Sequence, residues 1–312
     1  MKKHFKNIFI LLMTVLIAAA GCGCDLGVAP PGGGADSSYS GNFAGEGELT
    51  FRFLYVGQAD CTLVCLPDGT TLLVDGGNDS DGENIADYIA SLEIDRLDLV
   101  VATHPHEDHI GGLDRILEKI PASAIYAPAL PSSAEPDTKN YQDFIAAAEA
   151  QDCGISPLAA GQTIYDAGGV RIACLSPDSR DVYSDLNNYS IVLRIAYGNH
   201  SFLLMGDAEV EVENVLLHEG YTLSADLIKA GHHGSKTSSS ETFIKAVSPG
   251  YAILSCGREN AYDFPHQETL KTFASCQTET FDLSKDGSVF AVSDGESLVL
   301  TEHPDIDLDG NN

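Results

Sequence analysis

Short apolar runs, separated by turns and by segments of helical spacing, fill the chain from residue 49 onward. Three β-rich runs come first (LTFRFLYV, CTLVCL and TTLLV), and the Pro-Asp-Gly sequence at residues 67–69 predicts a hairpin turn between the second and the third. Residues 83–92 have the spacing of an amphipathic helix. The apolar run LDLVVATH follows them and predicts a strand that ends in a loop.

The rest of the chain alternates between predicted helices and predicted strands. Helical spacing recurs at residues 114–120, 140–151, 208–219, 241–247 and 266–274. Strand-like runs lie among these helices and after them: AIYAP, VRIACL, SIVLRIAY, SFLLMG, DLIKAG, YAILSC, SVFAV and SLVLT. Two β-rich halves, each with its own helices, predict an α/β fold in which two sheets pack between two helical layers, a four-layer αββα sandwich.

Composition places the chain among globular proteins. Of its 312 residues 44% are hydrophobic, and its 30 Gly follow no fixed period, which excludes a disordered or collagen-like chain. Its 46 acidic side chains outnumber the 17 basic ones, for a formal net charge of −29. So few Lys and Arg cannot neutralise a track of phosphates, so we expect no general basic face for nucleic acid. Contact with a phosphodiester would be local and metal-mediated.

The N-terminal segment has the features of a targeting signal. Lysines among its first residues precede an apolar stretch at residues 8–20, and Ala-Ala-Gly then leads to Cys22. This ending resembles a bacterial lipoprotein cleavage site, which predicts a signal peptide at residues 1–21 and lipidation of Cys22. The alternative is an ordinary signal peptide in which this Cys is incidental. Residues 22–47 are rich in Gly, Pro and Ser and predict a flexible tether between the lipid anchor and a domain outside a bacterial membrane.

The remaining chain is divided into one large domain and a short end. Residues 48–301 contain all the predicted strands and helices, and residues 302–312 are predicted to be an acidic C-terminal tail. The sequence DIDLDG at residues 305–310 has the spacing of the first half of a calcium-binding EF-hand loop. Because no carboxylate follows at the twelfth loop position, we interpret it as part of the acidic tail.

The segment THPHEDHIGG at residues 103–112 is the most specific pattern in the chain. It places three His and an Asp within six residues, directly after an apolar strand. These side chains cannot share one face of a helix, but they converge if the strand ends in a loop and a helix begins near the last His. Imidazole and carboxylate groups are ligands that Zn²⁺, Mn²⁺ and Fe accept, so the segment predicts a metal site.

Two later segments supply matching groups. Asp207 follows the buried strand SFLLMG, where it is also a candidate N-cap for the next helix. The segment DLIKAGHHGS at residues 226–235 repeats the arrangement of a strand followed by His. Strand ends can meet at one edge of a sandwich. A bridging carboxylate between two His-rich half-sites then predicts a pair of divalent metal ions, ~3.5–4 Å apart, holding a hydroxide that attacks an acyl or phosphoryl centre.

In this order, HPHEDHIGG, FLLMGD and IKAGHHGS resemble the motifs of the metallo-β-lactamase-fold hydrolases. The chain looks most like the hydrolase domain attached to competence DNA-uptake channels (the ComEC/Rec2 type) and like its free-standing secreted relatives. The runs LTFRFLYVGQADCTLV, TTLLVDGG and PHQETL fit the same subgroup. The resemblance covers residues 48–301 and implies the metallo-β-lactamase form of the αββα sandwich. The channel-forming segments are outside it, so it carries no expectation of DNA transport.

The resemblance also implies the ligands of two divalent ions, Zn²⁺ or Mn²⁺. The first ion would be held by His104 and His106, and the second by Asp108 and His109. Asp207 would bridge the two ions. One His of the HHGS segment would complete the second site, and we favour the first of the pair; the other would donate a hydrogen bond or assist the leaving group. Asp75 would orient a ligand His by hydrogen bonding, the alternative being a turn-capping role. The implied ligands are therefore His104, His106, Asp108, His109, Asp207 and His232, with His233 as the alternative to His232.

The chain departs from many members of the superfamily at a third His of the first site. The one His between the HPHEDH motif and Asp207 is His200, which precedes Asp207 by seven residues and so lies ~23 Å away along an extended strand. Asn187, Asn188 and Ser190 would lie nearer, and the competence-type subgroup also has polar residues there. An oxygen-rich first site of this kind suits Mn²⁺ better than Zn²⁺.

Groups for a phosphate are expected beside the HHGS segment. Ser235 and Lys236 follow the two His after one Gly, and His266 follows the strand YAILSC. His266 would neutralise charge in the transition state or protonate a leaving oxygen, and with Asp108 and His233 it completes the predicted catalytic set. The alternatives are a surface charge for Lys236 and a helix start for His266.

Together these features predict a secreted, membrane-tethered metallohydrolase that cleaves phosphodiesters, with single-stranded DNA, a nucleotide or a small surface-linked diester as the substrate. The first alternative is hydrolysis of an amide, thioester or lactone, β-lactams included, by the same metals. The second is a binding lipoprotein that keeps metal for structure or for ligand capture.

Overall fold

Two β-sheets lie face to face in the computed structural model, which describes residues 47–311. The strands, in chain order, are β1 (Leu49–Phe53), β2 (Thr62–Cys65), β3 (Thr71–Val74), β4 (Leu97–Val101), β5 (Ala122–Pro128), β6 (Ile155–Leu158), β7 (Thr163–Ala167), β8 (Val170–Ser176), β9 (Val192–Tyr197), β10 (His200–Leu204), β11 (Leu227–Lys229), β12 (Tyr251–Leu254), β13 (Glu279–Asp282), β14 (Ser288–Ser293) and β15 (Leu298–His303). One sheet has the order β15-β14-β1-β2-β3-β4-β5-β6, and the other has the order β13-β12-β11-β10-β9-β8-β7.

Helices cover the outer face of each sheet. They are α1 (Gly82–Ser91), α2 (Glu107–Ile110), α3 (Leu113–Lys119), α4 (Lys139–Glu149), α5 (Val210–Glu219), α6 (Glu241–Val247), α7 (Gln267–Ser275) and α8 (Leu283–Asp286), with 3₁₀ turns at Leu186–Tyr189 and Gly231–Gly234. Apolar residues of α1, α3 and α4 pack on the eight-stranded sheet, and those of α5, α6 and α7 pack on the seven-stranded sheet. These layers confirm the predicted α/β fold of αββα type.

The two-residue period of the strands sorts their apolar side chains between two cores. In β2, Val64 faces the opposite sheet and its neighbour Leu63 faces the helices. Across the sheet interface, the rings of Phe51 and Phe202 lie 4.3 Å apart between centroids, and both side chains are fully buried. Burying each such side chain contributes roughly 1.5–3 kcal/mol, so the central core holds the two sheets in register.

The prediction missed three strands, and all three lie at sheet edges. β6 ends the eight-stranded sheet, and β7 and β13 are the two edges of the other. Their side chains are largely exposed or half-buried, β7 entirely so. An edge strand pairs on one side and keeps polar residues that limit aggregation, so its sequence lacks the apolar run that marks a central strand.

Residues 302–311 do not form a separate acidic tail. β15 continues to His303, and Ile306 and Leu308 pack against the core beneath α1. The backbone N–H of Leu308 donates to the Tyr55 carbonyl at 3.0 Å. The acidic residues of this segment alternate with apolar ones, and the apolar side chains fix it to the domain surface.

Several expectations lie outside the described residues. These are the signal peptide at residues 1–21, the lipidated Cys22 and nearly all of the tether at residues 22–47. Within residues 47–311, the helices are all too short or too polar to cross a bilayer.

Candidate metal centre

The candidate centre lies where strands of both sheets end at one edge. β3 ends directly before Asp75. β4 ends two residues before Thr103, where the 103–112 segment begins, and this segment continues into α2. In the other sheet, β10 ends before Asp207 and β11 ends before the HHGS segment. Because β3 pairs in parallel with β4, and β10 with β11, their carboxyl ends meet at this edge.

Two glycines allow the short helix α2 to pack close to the end of β3. A Cβ atom on Gly111 would lie 2.4 Å from the backbone nitrogen of Asp79, and one on Gly112 would lie 2.3 Å from the Gly76 carbonyl oxygen. Any larger residue would therefore push α2 away from the sheet, together with the two predicted ligands that it carries.

Asp207 lies at the middle of the cluster, with 1% of its surface exposed. Its Oδ1 is 3.3 Å from His109 Nε2, and its Oδ2 is 3.3 Å from His233 Nε2. Its backbone N–H donates to Ser190 Oγ at 2.9 Å. The helix after it, α5, begins at Val210 and has another residue at its N-cap, so Asp207 does not cap it. Each carboxylate oxygen instead faces a ring nitrogen.

Four side chains form what we call the Asp108 group: Asp108, His109, Asp207 and His233. His233 Nε2 lies 3.1 Å from Asp108 Oδ2, and His109 Nε2 lies 4.0 Å from the same oxygen. Ligand atoms of a tetrahedral ion with bonds of ~2.1 Å lie roughly 3.4 Å apart. The spacing of the Asp108 group is of that size.

Unsatisfied polar atoms support a metal at this position. His109 Nε2 and Asp207 Oδ1 are buried, face each other and make no hydrogen bond. Buried polar groups almost always have a partner, and a bound ion is one of the recognised explanations for an exception. A divalent cation would satisfy both atoms, so the residues fit the metal ions that the fold binds.

A second set, the His104 group, consists of His104, His106, His232 and Asp207. His104 Nε2 and His106 Nδ1 lie 3.0 Å apart. His104 Nε2 and His232 Nε2 lie 4.0 and 3.9 Å from Asp207 Oδ2, the oxygen that His233 also approaches. His104 and His232 thus approach the same carboxylate oxygen, His106 contacts His104, and Asp207 belongs to both groups.

The structure places the two adjacent His of the HHGS segment differently from the prediction, which favoured His232 beside Asp108 and His109. His233, not His232, lies against Asp108 and His109, and its other nitrogen is 2.8 Å from the Ser255 carbonyl oxygen. His232 lies on the side of the His104 group and has 22% of its side chain exposed. Both residues have positive φ angles, +47° and +54°, which turn the two rings in different directions. Because both nitrogens of His233 are held in buried contacts, it cannot reach a leaving group.

Asp75 lies behind His109. Its Oδ2 is 2.8 Å from His109 Nδ1, and its carboxylate also accepts hydrogen bonds from the Thr103 backbone N–H and hydroxyl, both at 2.8 Å. A carboxylate in this position fixes the proton on Nδ1 and directs Nε2 towards the cluster.

A buried ion pair, which no pattern in the sequence had indicated, lies next to the cluster. Lys229 is 3% exposed, pairs with Asp60 and donates to the Gly206 carbonyl at 3.2 Å. The ligand atoms of Asp60 lie within 4.8 Å of those of His109, Asp207 and His233, which makes Asp60 a possible ligand by distance.

Asp60 is nevertheless placed as a supporting residue. It lies at the Nδ1 side of both rings, 3.9 Å from His109 Nδ1 and 3.4 Å from His233 Nδ1, whereas Asp108 and Asp207 lie at the Nε2 side. Its carboxylate is also already paired with Lys229. The run GQAD, part of the subgroup pattern, was the one signal in the sequence for this residue.

Three predicted residues contribute to the frame and not to the cluster itself. Asn188 donates to Glu211 at 3.2 Å and accepts from the Glu209 backbone N–H at 3.1 Å. Ser190 holds the backbone of Asp207, as described above. Ser235 is buried, and its Oγ accepts a hydrogen bond from the Thr237 hydroxyl at 3.0 Å.

Lys236 and His266 lie together at the rim. The backbone N–H of Lys236 donates to His266 Nδ1 at 3.0 Å, and the Lys236 side chain is exposed. A neutral imidazole that accepts at Nδ1 carries its proton on Nε2. His266 precedes the first residue of α7, as a helix-start residue would, but its side chain makes no capping bond. His200 was excluded as a metal ligand by its position in the sequence. Its Nδ1 lies 2.7 Å from Ser293 Oγ, at hydrogen-bond distance.

The buried carboxylates raise the pKa of two of the His residues in the metal-free protein. Burial alone would lower the pKa of His109, but Asp207 and Asp75 outweigh it and raise that pKa well above its usual value. Burial likewise opposes protonation of His233, and Asp207 and Asp60 raise its pKa well above the usual value. For Asp108, burial would raise the pKa, but His109 and His233 outweigh it and lower the pKa.

We expect Asp75→Asn to weaken metal binding about 10–100-fold, because the amide no longer fixes the proton of His109 on Nδ1. Metal affinity, measured by competition with a chromophoric chelator, checks this. The exposed Asp87→Asn is the control and should leave the affinity unchanged. Equal affinities of Asp75→Asn and the wild type would show that Asp75 only closes the turn.

Known proteins match this sequence and this fold. A sequence profile of the metallo-beta-lactamase superfamily matches residues 54–258, and the chain belongs to this superfamily, whose members are typically metal-dependent hydrolases. Within it, the chain is a relative of the ComEC-type competence proteins. Both findings confirm the resemblance seen in the sequence.

Two curated relatives and one solved structure illustrate the likeness. The chain is 30% identical over 261 residues to ComE operon protein 3 of Bacillus subtilis, covering 78% of this chain and 33% of that protein. It is 31% identical over 223 residues to Recombination protein 2 of Haemophilus influenzae, covering 70% and 25%. The chain thus spans a third or less of these relatives. CmlA, a diiron beta-hydroxylase of Streptomyces venezuelae, shares the fold with a TM-score of 0.50 and 16% identity, covering 74% of this chain and 52% of that one.

Proposed function

We propose that the chain is a metal-dependent phosphodiesterase. The observation that carries this is the pair of groups centred on Asp207, which together present ring nitrogens and carboxylate oxygens at ligand spacing from both sheets. The resemblance of the sequence to the hydrolase domain attached to competence DNA-uptake channels supports a phosphodiester over other substrates of the superfamily. The charge of −29 favours a short substrate over a long polyanion.

Two divalent ions would be held by the two groups. His104, His106 and His232 would hold one of them, and Asp108, His109 and His233 the other. Asp207 would bridge them, since it belongs to both groups. Because His232 supplies a third nitrogen, the His104 group is less oxygen-rich than the sequence suggested. This composition favours Zn²⁺ and weakens the reason for preferring Mn²⁺.

The side chains around the ions have separate tasks. When bound, the ions would supply Lewis acidity and a nucleophilic oxygen at neutral pH. Asp75 and Asp60 hold the rings of His109 and His233 from behind. His266, with its proton on Nε2, would donate that proton to the leaving oxygen. The exposed Lys236 beside it would pair with a phosphate oxygen.

We also propose that the enzyme works outside the cytoplasm, tethered to a bacterial membrane. The support is the sequence of residues 1–47, with its apolar stretch and Cys22 followed by a Gly- and Pro-rich segment. A tethered domain with few basic residues would meet small or surface-linked diesters in preference to long nucleic acid.

A comparison of substrates tests the reaction class. The domain from residue 47 onward is stripped of metal, reloaded with Zn²⁺ or Mn²⁺, and given bis(p-nitrophenyl) phosphate, a p-nitrophenyl thioester and a chromogenic cephalosporin. We expect metal-dependent cleavage of the diester. Cleavage of the thioester or cephalosporin alone would make the protein an acyl hydrolase. Metal binding without cleavage of any of the three would favour a binding lipoprotein.

Metal binding is expected to weaken as the pH falls. The pKa values of His109 and His233 are raised well above the usual value, which favours the protonated form of both rings in the metal-free protein, and a metal ion must displace these protons. Calorimetry in buffers with different ionisation enthalpies should show that metal binding releases protons at pH 7. No proton release would contradict the assignment of these rings as ligands.

A further inference from the structure

An exposed aromatic pair lies beside the candidate centre, between β12 and α7. Tyr262 has 63% of its surface exposed, and its ring stacks on Phe264 with the centroids 5.3 Å apart and the planes 18° apart. Among the described residues, Val182 and Val299 are the other large apolar side chains of comparable exposure. Single exposed apolar residues are common, so exposure alone does not assign a role to Tyr262.

Phe264 connects this pair to the candidate metal ligands. Its ring lies 5.5 Å from that of His232, 6.2 Å from that of His233 in a nearly parallel arrangement, and 5.1 Å from that of His266. One face of the Tyr262 ring therefore rests on a stack that ends at the centre. The exposed area belongs to the other face and the edge.

The segment that carries the pair is held in place by Asn260. Its Nδ2 donates to the carbonyls of Gly257 and Phe264 at 2.9 and 2.8 Å. Its Oδ1 accepts from the backbone N–H groups of Tyr262 and Phe264 at 3.2 and 2.8 Å. Four hydrogen bonds from one side chain preset the position of both rings, so a ligand that stacks on Tyr262 does not have to order the segment.

We propose that Tyr262 and Phe264 form a stacking platform for a planar ring of the substrate, and that this ring is a nucleobase. The inference rests on the proposed phosphodiesterase function and narrows its substrate class to short nucleotide diesters. His266, a candidate group for the phosphate, lies next to this platform, because its ring is 5.1 Å from that of Phe264 and its Nδ1 accepts from the backbone N–H of the exposed Lys236. Stacking on an aromatic side chain accepts any base, because every base has a π-face.

Two chromogenic esters with the same leaving group test the platform: p-nitrophenyl thymidine 5′-phosphate, which has a base, and methyl p-nitrophenyl phosphate, which has none. We expect Tyr262→Ala to raise KM for the thymidine ester about tenfold, with little change in kcat. KM for the methyl ester should change less than twofold. Tyr262→Phe keeps the ring and should behave as the wild type, and so should Val299→Ala, an exposed control.

The outcomes separate this inference from the proposed function. If both esters are cleaved but Tyr262→Ala changes KM for both equally, or for neither, the platform is overturned and the phosphodiesterase stands. If the wild type cleaves no diester, binding of thymidine 5′-monophosphate by calorimetry decides. About tenfold weaker binding to Tyr262→Ala than to Tyr262→Phe would keep the platform while the phosphodiesterase falls, and equal binding would overturn both.

Discussion

Asp207→Asn is expected to lower kcat/KM for a phosphodiester by at least about 10³-fold. The amide is the same size but offers one neutral oxygen and an N–H₂ group, so it cannot bridge two cations. Both groups of the centre depend on this side chain, since its oxygens lie 3.3 Å from His109 in the Asp108 group and 3.9 Å from His232 in the His104 group. Metal content after dialysis, measured by mass spectrometry, should fall together with the activity.

Asp226→Asn is the matched control for this substitution. Asp226 directly precedes β11, at the opposite end of the strand pair β10 and β11. Its carboxylate accepts from the Ser201 backbone N–H at 2.8 Å. The same chemical change there should leave metal content and kcat/KM within about twofold of the wild type. Retention of both metal and activity in Asp207→Asn would show that Asp207 does not bridge the two metal ions.

Lys229→Met is expected to destabilise the metal-free protein by about 3–5 kcal/mol. Lys229 is a buried cation that pairs with Asp60 and lies 3.9 Å from Asp207 Oδ1. Its removal leaves these two buried carboxylates without the positive charge that compensates them. Urea unfolding, followed by circular dichroism, measures the change in the free energy of unfolding.

Two further variants separate the loss of the charge from the loss of the side chain. Lys245→Met changes an exposed Lys that pairs with Glu241 on the surface of α6, and it should not move the unfolding midpoint. Adding Asp60→Asn to Lys229→Met should recover part of the lost stability, because the uncompensated carboxylate is then neutral. A Lys229→Met protein as stable as the wild type would show that Asp60 and Asp207 do not need this cation.

The sequence predicted the parts of the centre that are contiguous. HPHEDH, Asp207 and HHGS each follow an apolar strand, and strand ends of a sandwich meet at one edge. The approach of four ring nitrogens to within 4.0 Å of Asp207 follows from that topology. The four layers were predictable for the same reason, because apolar periods alternate regularly between strands and helices.

What the sequence could not show depends on tertiary contacts. Neighbouring His232 and His233 are chemically identical, and only their left-handed backbone angles decide which group each ring joins. Lys229 stands in an apolar strand with no local partner, since Asp60 is distant in the chain. Residues 302–311 have an acidic composition, and their packing depends on a surface formed by distant segments.

A metal titration tests the central claim most directly. The metal-stripped domain is given Zn²⁺ in steps, and bound metal and cleavage of bis(p-nitrophenyl) phosphate are measured on the same samples. We expect two ions to bind per chain and the activity to return as they bind. In His109→Ala the activity should not return. The exposed His218→Ala, as control, should behave as the wild type. Full activity of the stripped protein, or restored activity in His109→Ala, would contradict a metal-dependent centre built on these residues.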